Sequence, residues 1–318
     1  MLNIAFMSNQ LGERGTEVAL YDYAHYNETI LDNNSIIIYY NNNCFNSPKA
    51  VEKFKSRFDV FGITQKEEVD CILEKNNVHI FYYIHSGGVK DGILSKVAKN
   101  CVHAVFTCEK HGDAYASISK YVPGDHNIDV IPHMVSLPNS MNNMREELNI
   151  PRDALVISGY GGRDSFNIKY VQNTVYEIAQ NNPNIYFVFA NFDRFTPKIK
   201  NIIYLEKIID LNKKVEFINT SDAMIWARSI GETFGLAIAE FSSKNKPVIA
   251  AKVGWCQAHV EYLGDKGLWY HDSESLKKII LGLNRDEIIQ KDWNAYKELT
   301  PDKVMYKFKK IFIDPFIR

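Results

Sequence analysis

No apolar run in this chain approaches 18 uninterrupted residues, so no membrane-spanning helix is expected. The segment Met1–Gln10 has neither the basic start nor the long apolar core of a signal peptide. The five cysteines, Cys44, Cys71, Cys101, Cys108 and Cys256, contain no CxxC pair. An odd, scattered set without zinc-like spacing points to reduced thiols and a cytoplasmic setting. The fingerprint GxGxxG is missing, which disfavours a dinucleotide-dependent dehydrogenase. There is no DxD triplet in a suitable loop and no His/Cys cluster with ligand spacing, so neither a metal nor another cofactor is expected. A net charge of −1 makes no electrostatic case for nucleic acid or an acidic membrane. Internal repeats and low-complexity tracts are absent too.

What is present is a long alternation of strands and helices. The 318 residues suffice for two domains of ordinary size, and 46% hydrophobic with 24% charged residues is a globular composition. Strands are predicted at Leu2–Met7, Ser35–Tyr40, Val78–Ile84, Val102–Cys108 and Asp129–Pro132. Helices are predicted from Thr16, expected as the N-cap, to about His25, and over Lys49–Phe58, Gln65–Lys75 and Asp91–Lys99, with a further one starting at Glu109–Asp113. This is the pattern of a Rossmann-like domain. Ser136–Ile150, rich in Asn and Ser, reads as a linker, with a short helix at Met144–Leu148. Beyond it come strands at Ala154–Gly159, Ile185–Ala190, Ile202–Leu205 and Lys214–Phe217, and helices to about Gln180, at Ser273–Leu283 and at Glu287–Leu299.

The stretch Ala223–Ala251 concentrates the chemistry. The apolar run Ala223–Ala227 suits a buried strand, Arg228–Phe234 a polar loop, Gly235–Phe241 a helix and Pro247–Ala250 a second strand. That is one βαβ unit with its loop at the carboxyl end of a strand, the edge where open parallel sheets bind ligands. Glu232 lies in the loop and Glu240 eight residues on, about two helical turns deeper. Between them Thr233, Phe234, Gly235 and Leu236 present backbone N–H groups at a helix N-terminus, an anion site. A diphosphate there, with acids placed for hydroxyls, fits a nucleotide-sugar better than bare phosphate.

Arg228–Ala251 resembles the signature of the family 4 retaining glycosyltransferases of the GT-B fold, PSxxEGFGLxxLEAMAxGxPVIA. Ser229, Glu232, Phe234, Gly235, Leu236, Glu240 and Pro247-Val248-Ile249 match, while Arg228 replaces Pro and Thr233 replaces Gly. The resemblance implies that Glu232 contacts the donor sugar and Glu240 the ribose hydroxyls. Gly162-Arg163 with Lys169 resembles the family's GR…KG motif, although Tyr170 stands for the last glycine. Arg163 would then fork onto the diphosphate and Lys169 add a compact charge. By the same resemblance the loop after the first strand, with Gly12, Arg14 and Gly15, lies near donor phosphates and acceptor, and His85 near the donor sugar. His133-Met134-Val135 departs from the family's Asn-Gly-Val.

The expected fold is therefore α/β, GT-B: two Rossmann-like domains facing across a cleft. These are 1–137 on the acceptor side, with a helix within 301–318 crossing back onto it, and 138–300 on the nucleotide-sugar side. The expected activity is retaining, metal-independent transfer from a UDP- or GDP-sugar to a glycan or other hydroxyl acceptor. A nucleotide-sugar epimerase, which would consume donor without acceptor, and a non-catalytic nucleotide-sugar or glycan-binding module are the rivals. A binding module has no need of the leaving-group contacts Arg163 and Lys169.

Overall fold

The computed structural model describes residues 1–317 and divides into two units, Met1–Met134 together with the chain from Glu298 onward, and Val135–Lys297. The first unit carries β1 (Asn3–Ser8), α1 (Gly15–Thr29), β2 (Asn34–Tyr40), α2 (Pro48–Lys55), β3 (Asp59–Ile63), α3 (Glu68–Lys75), β4 (Ile80–His85), β5 (Lys99–Ala104), β6 (Ala114–Ser117) and β7 (Asp129–Val130). Its strands are all parallel, in the order β3-β2-β1-β4-β5-β6-β7. The order reverses between β1 and β4, so a crevice opens there at the carboxyl edge.

Alternation along the strands sorts side chains onto two faces. Ala5, Met7, Phe81 and Tyr83 join Val69 and Leu73 of α3 in one cluster. Phe6 and Tyr82 point the other way, where Tyr23 of α1 and Phe308 meet them at ring-centroid distances of 5.2 to 6.1 Å. Phe308 and Phe312 belong to the last helix, Pro301–Phe312, which thus completes the core of the first unit.

The second unit runs β8 (Leu155–Tyr160), α4 (Lys169–Asn181), β9 (Ile185–Ala190), β10 (Ile202–Leu205), α5 (Leu211–Thr220), β11 (Ala223–Ile225), β12 (Gly231–Glu232), α6 (Leu236–Ser243), β13 (Val248–Ala251), β14 (Cys256–Gln257), α7 (Ala258–Leu263), β15 (Gly267–Tyr270), α8 (Ser273–Leu281) and α9 (Arg285–Gln290); the last helix of the chain is α10. Its six-stranded parallel sheet has the order β10-β9-β8-β11-β13-β15 and reverses between β8 and β11. Val171, Val175 and Ile178 of α4 and Leu276 and Ile280 of α8 cover one face. Phe217 of α5 and Phe241 of α6 meet Tyr160 on the other.

Several local expectations fail, each for a visible reason. Lys214–Phe217 is helical: Asp210 caps α5 by accepting from Lys213 N–H, and Lys214, Val215, Phe217 and Ile218 form its buried stripe. No α-helix forms over Asp91–Lys99, because Ser95 and Asn100 side chains take the local backbone groups. The helix expected from Glu109 is a loop turning at Gly112, φ +81°, into β6. Met144–Leu148 makes turns only, and α9 ends at Gln290. Arg14, not Thr16, stands at the N-cap of α1. Sequence periodicity missed β3, α7 and β15.

Candidate functional site

In the second unit the loops that follow β8 and β11 emerge side by side at the reversal point. Asn167 fastens them together: its N–H donates to Ala227 O at 2.8 Å, and its Oδ1 accepts from Ser229 N–H at 2.8 Å. Gly162 and Arg163 stand on the first loop, which leads to Lys169 at the start of α4; Glu232 and Thr233–Gly235 stand on the second, which leads to Leu236 at the start of α6. Arg163 is exposed and makes an ion pair with Asp193 at 2.8 Å; Lys169, also exposed, reaches Gln172 at 3.3 Å.

Glu232 is held from two sides. Trp226 Nε1–H donates to Oε1 at 3.0 Å and Arg228 Nη1 to Oε2 at 3.1 Å. Burial raises its pKa above the usual carboxylate value, and Arg228 and Trp226 oppose that. Two glycines shape the loop: Gly231 has φ +80°, and a Cβ there would lie 2.0 Å from Cys256 O; Gly235 has φ +85° and begins α6. Phe234 is buried against Tyr262 and Tyr296, so its backbone is what it can offer a ligand. The first N–H groups of α6 have no partners within the helix, as at any helix start.

Glu240 lies deeper in α6 and is 3% exposed. Lys214 Nζ donates to its Oε1 at 2.9 Å, and the same ammonium sits 5.5 Å from the centre of the Tyr160 ring. Sequence reasoning missed Lys214 because the segment was assigned to a strand. The signal that was available is a lysine inside a helical apolar stripe, Val215-Phe217-Ile218.

The first unit holds the remaining candidates at its own reversal point. Gly12 and Arg14 stand in the loop between β1 and α1, and Gly15 begins α1; the Arg14 guanidinium lies 5.8 Å from the centre of the exposed Phe45 ring. Beneath the loop is Glu17, unanticipated and 1% exposed, accepting from Gln10 Nε2 at 2.8 Å. Burial pushes its carboxyl up to about 7. His85 closes β4, is buried, and packs against Tyr83 at 4.4 Å between ring centroids; burial lowers its pKa to about 4. Among the described residues no three His, Cys, Asp or Glu side chains converge as a metal site would need, and no helix is long and apolar enough to cross a membrane.

No protein-family model and no curated protein matches the chain. Solved structures do. A glycosyltransferase from Rickettsia africae superposes with a TM-score of 0.70 at 16% identity, over 98% of this chain and 99% of that one. Anabaena HepE, in complex with UDP and glucose, gives 0.69 at 12% identity over 98% and 99%. The lipopolysaccharide outer core galactosyltransferase WaaB gives 0.61 at 14% identity over 97% and 98%. The fold is GT-B. Each unit of this GT-B chain thus places its candidate residues at the carboxyl edge and reversal point of a parallel sheet. Glu232, Arg163, Lys169 and Thr233–Leu236 are brought together on one unit, and His85, Gly12, Arg14 and Gly15 on the other.

Proposed function

We propose that this protein is a cytoplasmic glycosyltransferase that moves a sugar from a UDP- or GDP-sugar to a glycan or other hydroxyl acceptor, with retention of configuration and without a metal ion. The observation that carries the reading is the pairing of two loops at the β8/β11 reversal point, which puts Arg163 and Lys169 on one side and Glu232 with the start of α6 on the other. Cations and N–H groups gathered beside a carboxylate suit a diphosphate bonded to a polyhydroxylated ring.

In this reading the difficult event is departure of the nucleoside diphosphate as positive charge grows on the sugar. Arg163, Lys169 and the amides at the start of α6 stabilise the negative charge of the leaving group; such preorganised donors are commonly worth ~10²–10³ in rate each. Glu232, fixed by Trp226 and Arg228, accepts from sugar hydroxyls. Glu240 serves the ribose, with Lys214 setting its position. The acceptor's proton passes to the departing phosphate on the face where attack occurs, which retains the configuration without a carboxylate nucleophile. The structures of HepE with UDP and with UDP-glucose make uridine the first base to test.

Thermal shift against nucleoside diphosphates and nucleotide-sugars is the test. A ligand at 100 times its Kd raises stability by about 2.7 kcal/mol. One base standing out supports the donor site. No response from any member, with no transfer in the wild type either, sinks it and favours a glycan-binding module.

A further inference from the structure

Arg228 lies against the carboxylate of Glu232, and most of its guanidinium is unspent. Its Nη1 donates to Glu232 Oε2 at 3.1 Å. A guanidinium carries five N–H groups in a planar fork, and those on Nε and Nη2 have no protein partner among the described residues. The side chain is 30% exposed, so a ligand reaches those groups from solvent. The other cations of this edge are engaged elsewhere, Arg163 with Asp193 and Lys169 with Gln172.

The backbone around Arg228 is pinned on both sides. Before it, the Trp226 carbonyl accepts from Tyr270 O–H at 2.7 Å; after it, Ser229 N–H donates to Asn167 Oδ1 at 2.8 Å. Arg228 O itself accepts from Gly231 N–H at 3.3 Å. The charge of Glu232 is therefore balanced on the spot by a cation of fixed position. Proline, which the resembled signature has here, would leave Glu232 an isolated anion that repels a like charge on a ligand. With Arg228 the pair is neutral, and Nε–H and Nη2–H form the edge that takes a carboxylate through two parallel bonds.

We propose that the donor carries a uronic acid: Arg228 Nε–H and Nη2–H hold the C6 carboxylate of a nucleoside diphosphate hexuronate, while Glu232 accepts from a hydroxyl beside it. In a hexopyranuronic acid C6 is bonded to C5, next to the hydroxyl-bearing C4. One edge of the ring thus offers an anion to the arginine and a hydroxyl to the glutamate. A neutral hexose leaves the fork to water. The inference rests on the glycosyltransferase reading, in which Glu232 holds the transferred sugar.

Calorimetric titration with matched pairs of donors tests it: UDP-glucose with UDP-glucuronate, UDP-galactose with UDP-galacturonate, and GDP-mannose with GDP-mannuronate. Free UDP and GDP serve as internal references and melting curves as the folding control. In the wild type one uronate should bind about tenfold or more tightly than its neutral partner, and Arg228→Gln should erase that preference. A wild type that binds every neutral donor as tightly as its uronate overturns the proposal and leaves Arg228 only to fix Glu232. A preference that survives in Arg228→Gln overturns it too, since the general positive charge of this edge would then be its source. If Arg228→Gln does not fold, Arg228→Lys, which keeps the charge without the fork, must lose the larger part of the preference, and an undiminished preference there also refutes the proposal. Failure of both UDP and GDP to bind the wild type would instead refute the donor site, and the uronate with it.

Discussion

Lys214 and Glu240 face each other across the buried interface of α5 and α6, Nζ to Oε1 2.9 Å, with side chains only 9% and 5% exposed. Removing one charge of such a pair leaves the other desolvated. Lys214→Met is therefore expected to destabilise by ~3–5 kcal/mol, and the double variant Lys214→Met/Glu240→Leu to recover much of that, as seen in urea unfolding midpoints. Equal losses in the single and double variants would show that the pair contributes little. Glu240→Gln should also weaken nucleotide-sugar binding.

Arg163 invites the opposite expectation. Its pair with Asp193 is surface-exposed, at 78% and 59%, and exposed pairs are worth roughly 0–1 kcal/mol. Arg163→Ala should melt like the wild type yet lose ~10²–10³ in transfer rate. Asp193→Asn frees the guanidinium from a competing anion, so nucleoside diphosphate affinity should rise. Wild-type transfer in Arg163→Ala would remove that residue from the site.

Trp226 reaches the reaction through Glu232. Losing its Nε1–H bond in Trp226→Phe unfixes one carboxylate oxygen and should lower transfer about tenfold. Glu232→Gln, which keeps the shape but halves the acceptor capacity, should lose most transfer while the protein stays folded. Steady-state rates at saturating donor separate this from a weakened Kd.

The placement of much of the candidate site is legible in the sequence because short motifs are positioned by local geometry. Glu232, Gly235 and Glu240 fall where a strand–loop–helix unit must put them, and both sheets follow from apolar runs spaced by helices. Lys214 and Asp193 were not legible. Their contacts are with partners 26 and 30 residues away in sequence, respectively Glu240 and Arg163, and strand order decides such meetings. The misplaced helix over Asp91–Lys99 has another cause, since Ser95 and Asn100 bond backbone groups that a helix would need.

Glu17 gives stability a pH dependence. Its carboxyl is raised from 4.5 to about 7, so the native state holds a proton that the unfolded chain releases. Its contribution is complete below about pH 4.5 and is lost as pH rises through about 7, an effect on the order of 3 kcal/mol. Glu17→Gln removes this loss, so its unfolding free energy should rise relative to that of the wild type as pH goes from 5 to 8. The neutral buried histidines His85, His103 and His259, each lowered from 6.5 to about 4, add stability as pH rises from about 4 to 6.5, equally in both proteins, so the difference between the two curves isolates Glu17.

Chelation offers a simpler check. With Arg163, Lys169 and the α6 amides serving the diphosphate, excess chelator should leave transfer unchanged, and abolished transfer would count against that assignment.

The two-residue ladder between β12 and β14 pairs Gly231 with Cys256 and Glu232 with Gln257. Because side chains on such a ladder alternate, one residue added anywhere between Ala251 and Cys256 would oblige the acidic loop either to slip its register or to abandon it. Exposed Trp255 can vary in that segment, but its length cannot, and neither can Gly254, whose φ is +97° and whose Cβ would lie 2.2 Å from Gly231 N. Tolerance to substitution at Trp255 and intolerance to insertion beside it should separate cleanly there.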